Sequence, residues 1–404
     1  MFELKSLPVI LDGAVGTELQ KRGMPAGQAS SLWALEHPEV TKALFREYLA
    51  AGSNIVYAPT FTANRVSLAG YGMADRVEDI NMRLVEYARE ATEGKLPLGG
   101  DIAPTGRQLV PYGDMEMEEL IDVYAEQAAA LDKAGVDFFV IETQMFIGEL
   151  RAAILGVRRV SEKPIIASFT AGESGKTIFG GDLTSALAIV QSMGVSAFGL
   201  NCVYDLDMIL KTLTELKKFS RIPLIAKPNA GLPRTVDGQA VYDMVPETMA
   251  EWAVKMHGAG ADLIGGCCGT GPEHIAAMAK ALDGATANVL CEAPPELCAT
   301  ERRAFPVPQT FVPVGCTEDL SDDAEDAEDN GAEGIALYIA DDDALGFFLE
   351  AASSLDLPIQ LDAADEALME KALIRYHGRA VLAPETKLGA EFTDRMASVY
   401  GLIK

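Results

Sequence analysis

Cys267 and Cys268 are adjacent, inside Leu263-Ile264-Gly265-Gly266-Cys267-Cys268-Gly269-Thr270-Gly271-Pro272-Glu273-His274. Neighbouring cysteines can hardly bridge each other, because a disulfide wants α-carbons about 4.4–6.8 Å apart. They can instead present two sulfurs to one soft cation. Cys202 stands at the end of another apolar run, Ala197-Phe198-Gly199-Leu200-Asn201. Three sulfurs with a fourth position open describe a catalytic zinc centre rather than a closed structural one. The alternative is that all three are small buried hydrophobes. The glycine-flanked pair taken together with Asn201-Cys202 favours the metal.

Something must bring residue 202 to residues 267 and 268. Eight strand-like runs precede residue 270, at 9–11, 54–58, 96–98, 138–141, 164–169, 197–200, 223–226 and 262–264. They are continuously apolar or β-branched, as strands buried on both faces should be. Helical patterns separate them. One spans 38–51, with Pro38 at its first position and Val40, Leu44 and Tyr48 on one face. Another follows Asp114 as N-cap, with Leu120, Tyr124, Ala128 and Leu131 in register. Gly52, Gly135, Gly194 and Gly260 each stand where a helix hands over to a strand. Such alternation predicts a (β/α)8 TIM barrel, whose active site lies at the carboxyl ends of the strands. Polar residues gather at those ends, and Cys202 and the 267–268 pair follow strands six and eight. The glycines after the first strand lack the Gly-Lys-Ser/Thr ending of a phosphate loop.

From about 283 to 313 prolines interrupt the pattern, which predicts a linker or an excursion along the barrel. Alternation then resumes as about four βα units, half a barrel, whose sheet edges predict packing on the first unit or a homo-oligomer. The expected organisation is a barrel over 1–287, a Pro-containing linker over 288–309, and a smaller α/β partial barrel over 310–404. The 404 residues carry a net charge of −27, of which −14 falls in the final 104. That balance argues against nucleic acid and anionic membranes, and the acidic tail would suit a basic partner. No apolar run approaches the roughly 20 residues of a membrane helix, no signal-peptide pattern opens the chain, and six scattered cysteines make no disulfide framework. The expected location is cytoplasmic.

Asp12-Gly13-Ala14-Val15-Gly16-Thr17, Thr60-Phe61-Thr62-Ala63-Asn64-Arg65, Asn201-Cys202 and Gly265-Gly266-Cys267-Cys268-Gly269-Thr270 together resemble the homocysteine S-methyltransferase family, over about residues 5–285. The resemblance implies a (β/α)8 barrel holding Zn2+ on Cys202, Cys267 and Cys268. It also implies that Asp12, Gly13 and Glu142 hold the amino-acid end of L-homocysteine, with Thr60 a further candidate. For Asp12 and Glu142 the alternative is strand-end capping of the backbone. Asn201 and Asn229 read as turn residues, and Cys291, Cys298 and Cys316 as non-catalytic. The Cys-Cys-Gly-Thr-x-Pro-Glu-His form is similar to the homocysteine domain of cobalamin-dependent methionine synthases.

Asn330-Gly331-Ala332-Glu333 and Pro358-Ile359-Gln360-Leu361-Asp362 resemble the first half of a pterin-binding barrel. Leu337-Tyr338-Ile339-Ala340 and Asp362-Ala363-Ala364 depart from its ligand motifs, so folate is not assigned. No cobalamin-binding Asp-x-His-x-x-Gly occurs, and the four histidines are His37, His257, His274 and His377. The chemistry so implied is attack of a zinc-bound homocysteine thiolate on a methyl group. The donor expected is methylcobalamin on a separate corrinoid protein. The alternatives are a small donor such as S-methylmethionine or betaine, and a non-catalytic zinc-binding subunit.

Overall fold

The structure is a computed structural model that describes residues 8–172, 175–177, 180–236 and 239–404; residues 1–7 of the expected first unit lie outside it. Its main sheet has eight parallel strands: β1 (Val9–Ile10), β2 (Val56–Tyr57), β3 (Leu98–Ile102), β4 (Phe138–Gln144), β5 (Ile165–Phe169), β6 (Ala197–Asn201), β7 (Leu224–Lys227) and β8 (Ala261–Ile264). From β2 to β8 each pairs with its neighbour in sequence, and β8 returns to β1 in the register Val9 to Leu263. Between β1 and β2 the ring is closed by Asn54, whose N–H donates to Ile10 O at 2.7 Å while its Oδ1 accepts from Ile10 N at 2.7 Å. The expected (β/α)8 barrel is therefore present, with a smaller βα unit after it.

Period two sorts the barrel's side chains. Val9, Leu11, Ile55, Tyr57, Phe138, Val140, Ile166, Ala197, Ile225 and Leu263 form one buried cluster, the filling of the barrel. Alternate residues join the larger cluster between strands and helices. Continuing the inward set two residues beyond Val140 and Ile225 gives Glu142 and Lys227. The alternation that packs the barrel thus aims charged groups at its axis near the carboxyl end.

The helix Pro38–Ala51 has the bounds expected and ends on Gly52 at φ 94°, a left-handed stop. The next expectation is corrected: the helix is Met117–Lys133, begun by Glu116, because the Asp114 side chain is engaged by Arg107 instead. The proline-broken stretch also carries structure. Leu297–Ala299 and Ala304–Pro306 form an antiparallel hairpin that lies against the helix Leu183–Ser192.

The tail sheet runs β9 (Val312–Pro313), β10 (Ile335–Ile339), β11 (Ile359–Ala363) and β12 (Val381–Leu382), all parallel. Ile335, Leu337 and Ile339 are buried beneath the helices, whereas Tyr338, on the other face, is 53% exposed. Its edges are blunted. Val312 donates to Gly334 O and Val314 to Ala336 O, so the donor facing outward from β9 would belong to Pro313, which has none. At the far edge Leu382 N donates to Ile403 O at 2.7 Å, and Ile403 N donates to Ala380 O at 3.0 Å. The tail is fastened to the barrel helices by Arg151, fully buried, whose Nη2 donates to Leu373 O at 2.8 Å. His377 stacks edge-on against Phe146 beside it. Among the described residues no helix is long and apolar enough to cross a membrane.

Candidate functional site

β6 and β8 deliver the three cysteines. Cys202, one residue past β6, has φ 57°, a left-handed backbone that non-glycine residues adopt rarely and that clusters at functional sites. Its N–H donates to Lys227 O at 3.1 Å and its carbonyl accepts from Thr170 Oγ1 at 3.3 Å, which holds the turn. Cys267 N donates to Pro228 O at 2.7 Å, and Cys268 N donates to Asn229 Oδ1 at 3.0 Å. Thr270 Oγ1 folds back onto Cys267 O at 2.5 Å. Asn201 and Asn229, expected as turn residues, are splints. Asn201 Oδ1 accepts from Thr143 N at 2.8 Å and from Ser168 Oγ at 2.9 Å, tying β4, β5 and β6 together beneath the sulfurs.

The three sulfurs lie within 4.8 Å of one another, with Cys202 Sγ to Cys268 Sγ at 4.0 Å. Zinc–sulfur bonds of about 2.3 Å in a tetrahedron put sulfurs about 3.8 Å apart, so the spacing suits a shared cation. The thiols themselves point the same way. Hydrogen bonds from Cys202 and Cys267, the former larger, bring Cys268 down to about 3. Cys202 is raised by its bonds to Cys267 and Cys268 and then by burial. Cys202 lowers Cys267, but Cys268 and burial outweigh it and push Cys267 up to about 12. One negative charge forms readily among three sulfurs and a second does not. A cation between them reverses that balance.

The sulfurs open onto a cavity of about 430 Å³ that Asp12, Gly13, Asp101, Glu142, Thr143 and Lys227 also line. Asp12 Oδ2 accepts from Tyr57 N at 2.7 Å, so it does cap the backbone, while Oδ1 faces Lys227 Nζ at 3.0 Å. Glu142 Oε2 lies 3.6 Å from the same nitrogen. Burial, opposed by Lys227, raises Glu142 to about 7 and raises Asp12 as well. Asp101 is raised well above the carboxylate range by burial and then by Glu142. Burial alone would lower Lys227, but Asp12 and Glu142 prevail and hold it well above the ordinary lysine value.

Gly13 is required where it stands. A β-carbon there would lie 2.5 Å from Thr270 O and 2.7 Å from the Tyr48 hydroxyl. Thr60, expected at the amino-acid end, is not brought to the cavity. Its hydroxyl donates to Asp101 O at 2.8 Å and accepts from Asp101 N at 3.0 Å, so it positions Asp101 instead. Sequence reasoning passed over Lys227 and counted Asp101 only among the polar residues at the strand ends. The available signal was their period-two register with inward-facing neighbours, Ile225 to Lys227 and Gly99 to Asp101.

The family model described as homocysteine S-methyltransferase matches residues 9–282. The chain is 30% identical over 422 residues to the methionine synthase of Mycobacterium leprae (strain TN), covering 92% of this chain and 35% of that protein. With the methionine synthase of Mycobacterium tuberculosis (strain ATCC 25618 / H37Rv) it shares 28% over 415 residues, with the same coverage. The chain thus spans about a third of the length of these curated relatives. The solved homocysteine methyltransferase MmuM from Escherichia coli, in its metallated form, superposes with a TM-score of 0.58 at 26% identity, over 68% of this chain and 96% of that one.

Proposed function

The chain belongs to the homocysteine S-methyltransferase family, and from that premise we propose that it methylates the sulfur of L-homocysteine to give methionine, at a zinc ion held by Cys202, Cys267 and Cys268. What carries this reading is one observation: three sulfurs and a wall of carboxylates face each other across a single cavity. When bound, zinc lets the substrate thiol ionise at neutral pH while its sulfur stays nucleophilic.

The chain's own residues do the rest. Asn201 and Asn229 fix the turns that carry the sulfurs. Asp12 and Glu142 receive the substrate ammonium, and Gly13 leaves room for the rim to close over it. The methyl donor is a methylcorrinoid on a separate protein. This choice rests on the form of the Cys-Cys-Gly-Thr-x-Pro-Glu-His motif and on relatives named methionine synthase. Six free cysteines, three of them needed as thiolates, suit the reducing cytoplasm. On the same reading residues 1–287 form the homocysteine unit, 288–309 the connection, and 310–404 an acidic unit with no ligand assigned.

Zinc content and X-ray absorption at the zinc edge, with and without L-homocysteine, test the reading on wild type and Cys268→Ala. One zinc per chain with three sulfurs, rising to four with homocysteine, is the expected result. No zinc in the wild type, or a sulfur count that homocysteine leaves unchanged, overturns it.

A further inference from the structure

Homocysteine brings three groups to the cavity: a thiol, an ammonium and a carboxylate. The sulfurs accept the first, and Asp12, Asp101 and Glu142 suit the second. A carboxylate set against those three carboxyl groups meets repulsion unless a cation stands between them. Among the described residues lining the cavity, Lys227 is the one cationic side chain.

Lys227 is built into the site. It is 4% exposed, and its nitrogen lies 4.1 Å from the centre of the Tyr57 ring. It pairs with Asp12 Oδ1 at 3.0 Å and with Glu142 Oε2 at 3.6 Å, while Asp101 Oδ1 is buried and without a hydrogen bond. The two carboxylates hold the ammonium in place, and of its three N–H donors at least one remains for a further partner. Its main chain sets its distance from the metal ligands, because Lys227 O accepts from Cys202 N.

We propose that Lys227 is a substrate-binding residue that pairs with the α-carboxylate of homocysteine, so that the enzyme selects thiols carrying a carboxylate as well as an amine. The assignment rests on the homocysteine reading above. In the filled site charges alternate: Lys227 stands among Asp12, Glu142 and the substrate carboxylate. The substrate ammonium, with its three donors, is met by the carboxyl groups of Asp12 and Glu142 and by Asp101 Oδ1.

The test is calorimetric binding of three thiols to the zinc-loaded protein: L-homocysteine, 4-sulfanylbutanoate, which lacks the amine, and 3-aminopropane-1-thiol, which lacks the carboxylate. Lys227→Met is expected to weaken the first two by about 10- to 100-fold, the loss of a charge-assisted hydrogen bond. It should leave the aminothiol bound at least as tightly, which also shows that the variant's pocket is folded. Lys227→Arg should fall between wild type and Lys227→Met for the carboxylate-bearing pair alone, and it serves by itself if the Met variant does not fold. Equal losses for all three thiols, no loss for any, or a loss confined to the amine-bearing thiols overturns the assignment. If wild type binds none of the three, the homocysteine reading falls and the assignment with it. If wild type binds them and the variants match it, only the assignment falls.

Discussion

The barrel and the tail repeat the same βα unit, with parallel strands in sequence order and helices on one side. In the barrel, Asp12, Glu142 and Lys227 stand at the carboxyl ends of β1, β4 and β7, and Lys227 lies 3.0 Å from Asp12 and 3.6 Å from Glu142. Neighbouring strands lie about 4.8 Å apart, so strands three places apart in an open sheet would be separated by about 14 Å. In the tail the sheet stays open, and Asp362 at the end of β11 finds a partner only next door, Thr386 Oγ1 at 2.7 Å. Closure is what turns residues lying side by side into residues facing one another. It also removes water from between them, which is why their ionisation shifts.

Removing one of the three sulfurs proposed to hold zinc should break the comparison most severely. Cys202→Ala is expected to lower zinc affinity by more than the roughly 10–100-fold typical of losing a residue behind the ligands, measured by competition with a chromophoric chelator. The tail's unfolding should be unchanged.

A pH series sharpens it next. Glu142 holds its proton more tightly in the folded barrel, at about 7 against an ordinary 4.5. Its contribution to stability is therefore complete below the ordinary value and is lost as pH rises through about 7. Metal-free wild type should lose up to about 3 kcal/mol relative to Glu142→Gln between roughly pH 5 and pH 8, read from urea unfolding at each pH.

In the tail, Arg379 donates to Leu297 O at 2.6 Å and Gly401 O at 2.9 Å, and pairs with Glu296. Arg379→Met leaves buried carbonyls without donors and should cost about 1–3 kcal/mol. Zinc stoichiometry should stay at the wild-type value, so a change in it would mean the two regions are coupled. The smallest effect is expected from Arg375→Ala, which removes an exposed pair with Glu118 at 2.9 Å between tail and barrel. Thermal unfolding should shift by less than about 1 kcal/mol.

The sequence was legible where a pattern is local. Continuous apolar runs marked all eight barrel strands, and the glycine-flanked cysteines marked the sulfur site. Lys227 was not, because a lysine closing the run 223–226 reads as a strand reaching solvent, and only its register with Ile225 shows that it turns inward. Thr60 was misplaced for a different reason. Its hydroxyl's partner, the Asp101 main chain, lies 41 residues away. Asp114 was an apt helix cap in isolation, but Arg107 engaged its side chain and the helix began with Met117. The hairpin Leu297–Ala299 with Ala304–Pro306 was hidden by its flanking prolines and by strands of three residues each.

Pro313 and Ile403 also bear on how the molecule behaves at high concentration. An open four-stranded sheet would ordinarily offer two rows of main-chain groups on which a neighbouring molecule could lay its own strand, and growth of that kind has no natural end. Here one row lacks its outward donor and the other is taken by the chain's own terminal segment. Crowded copies of this protein are thereby hindered from adding strands to either edge of this sheet.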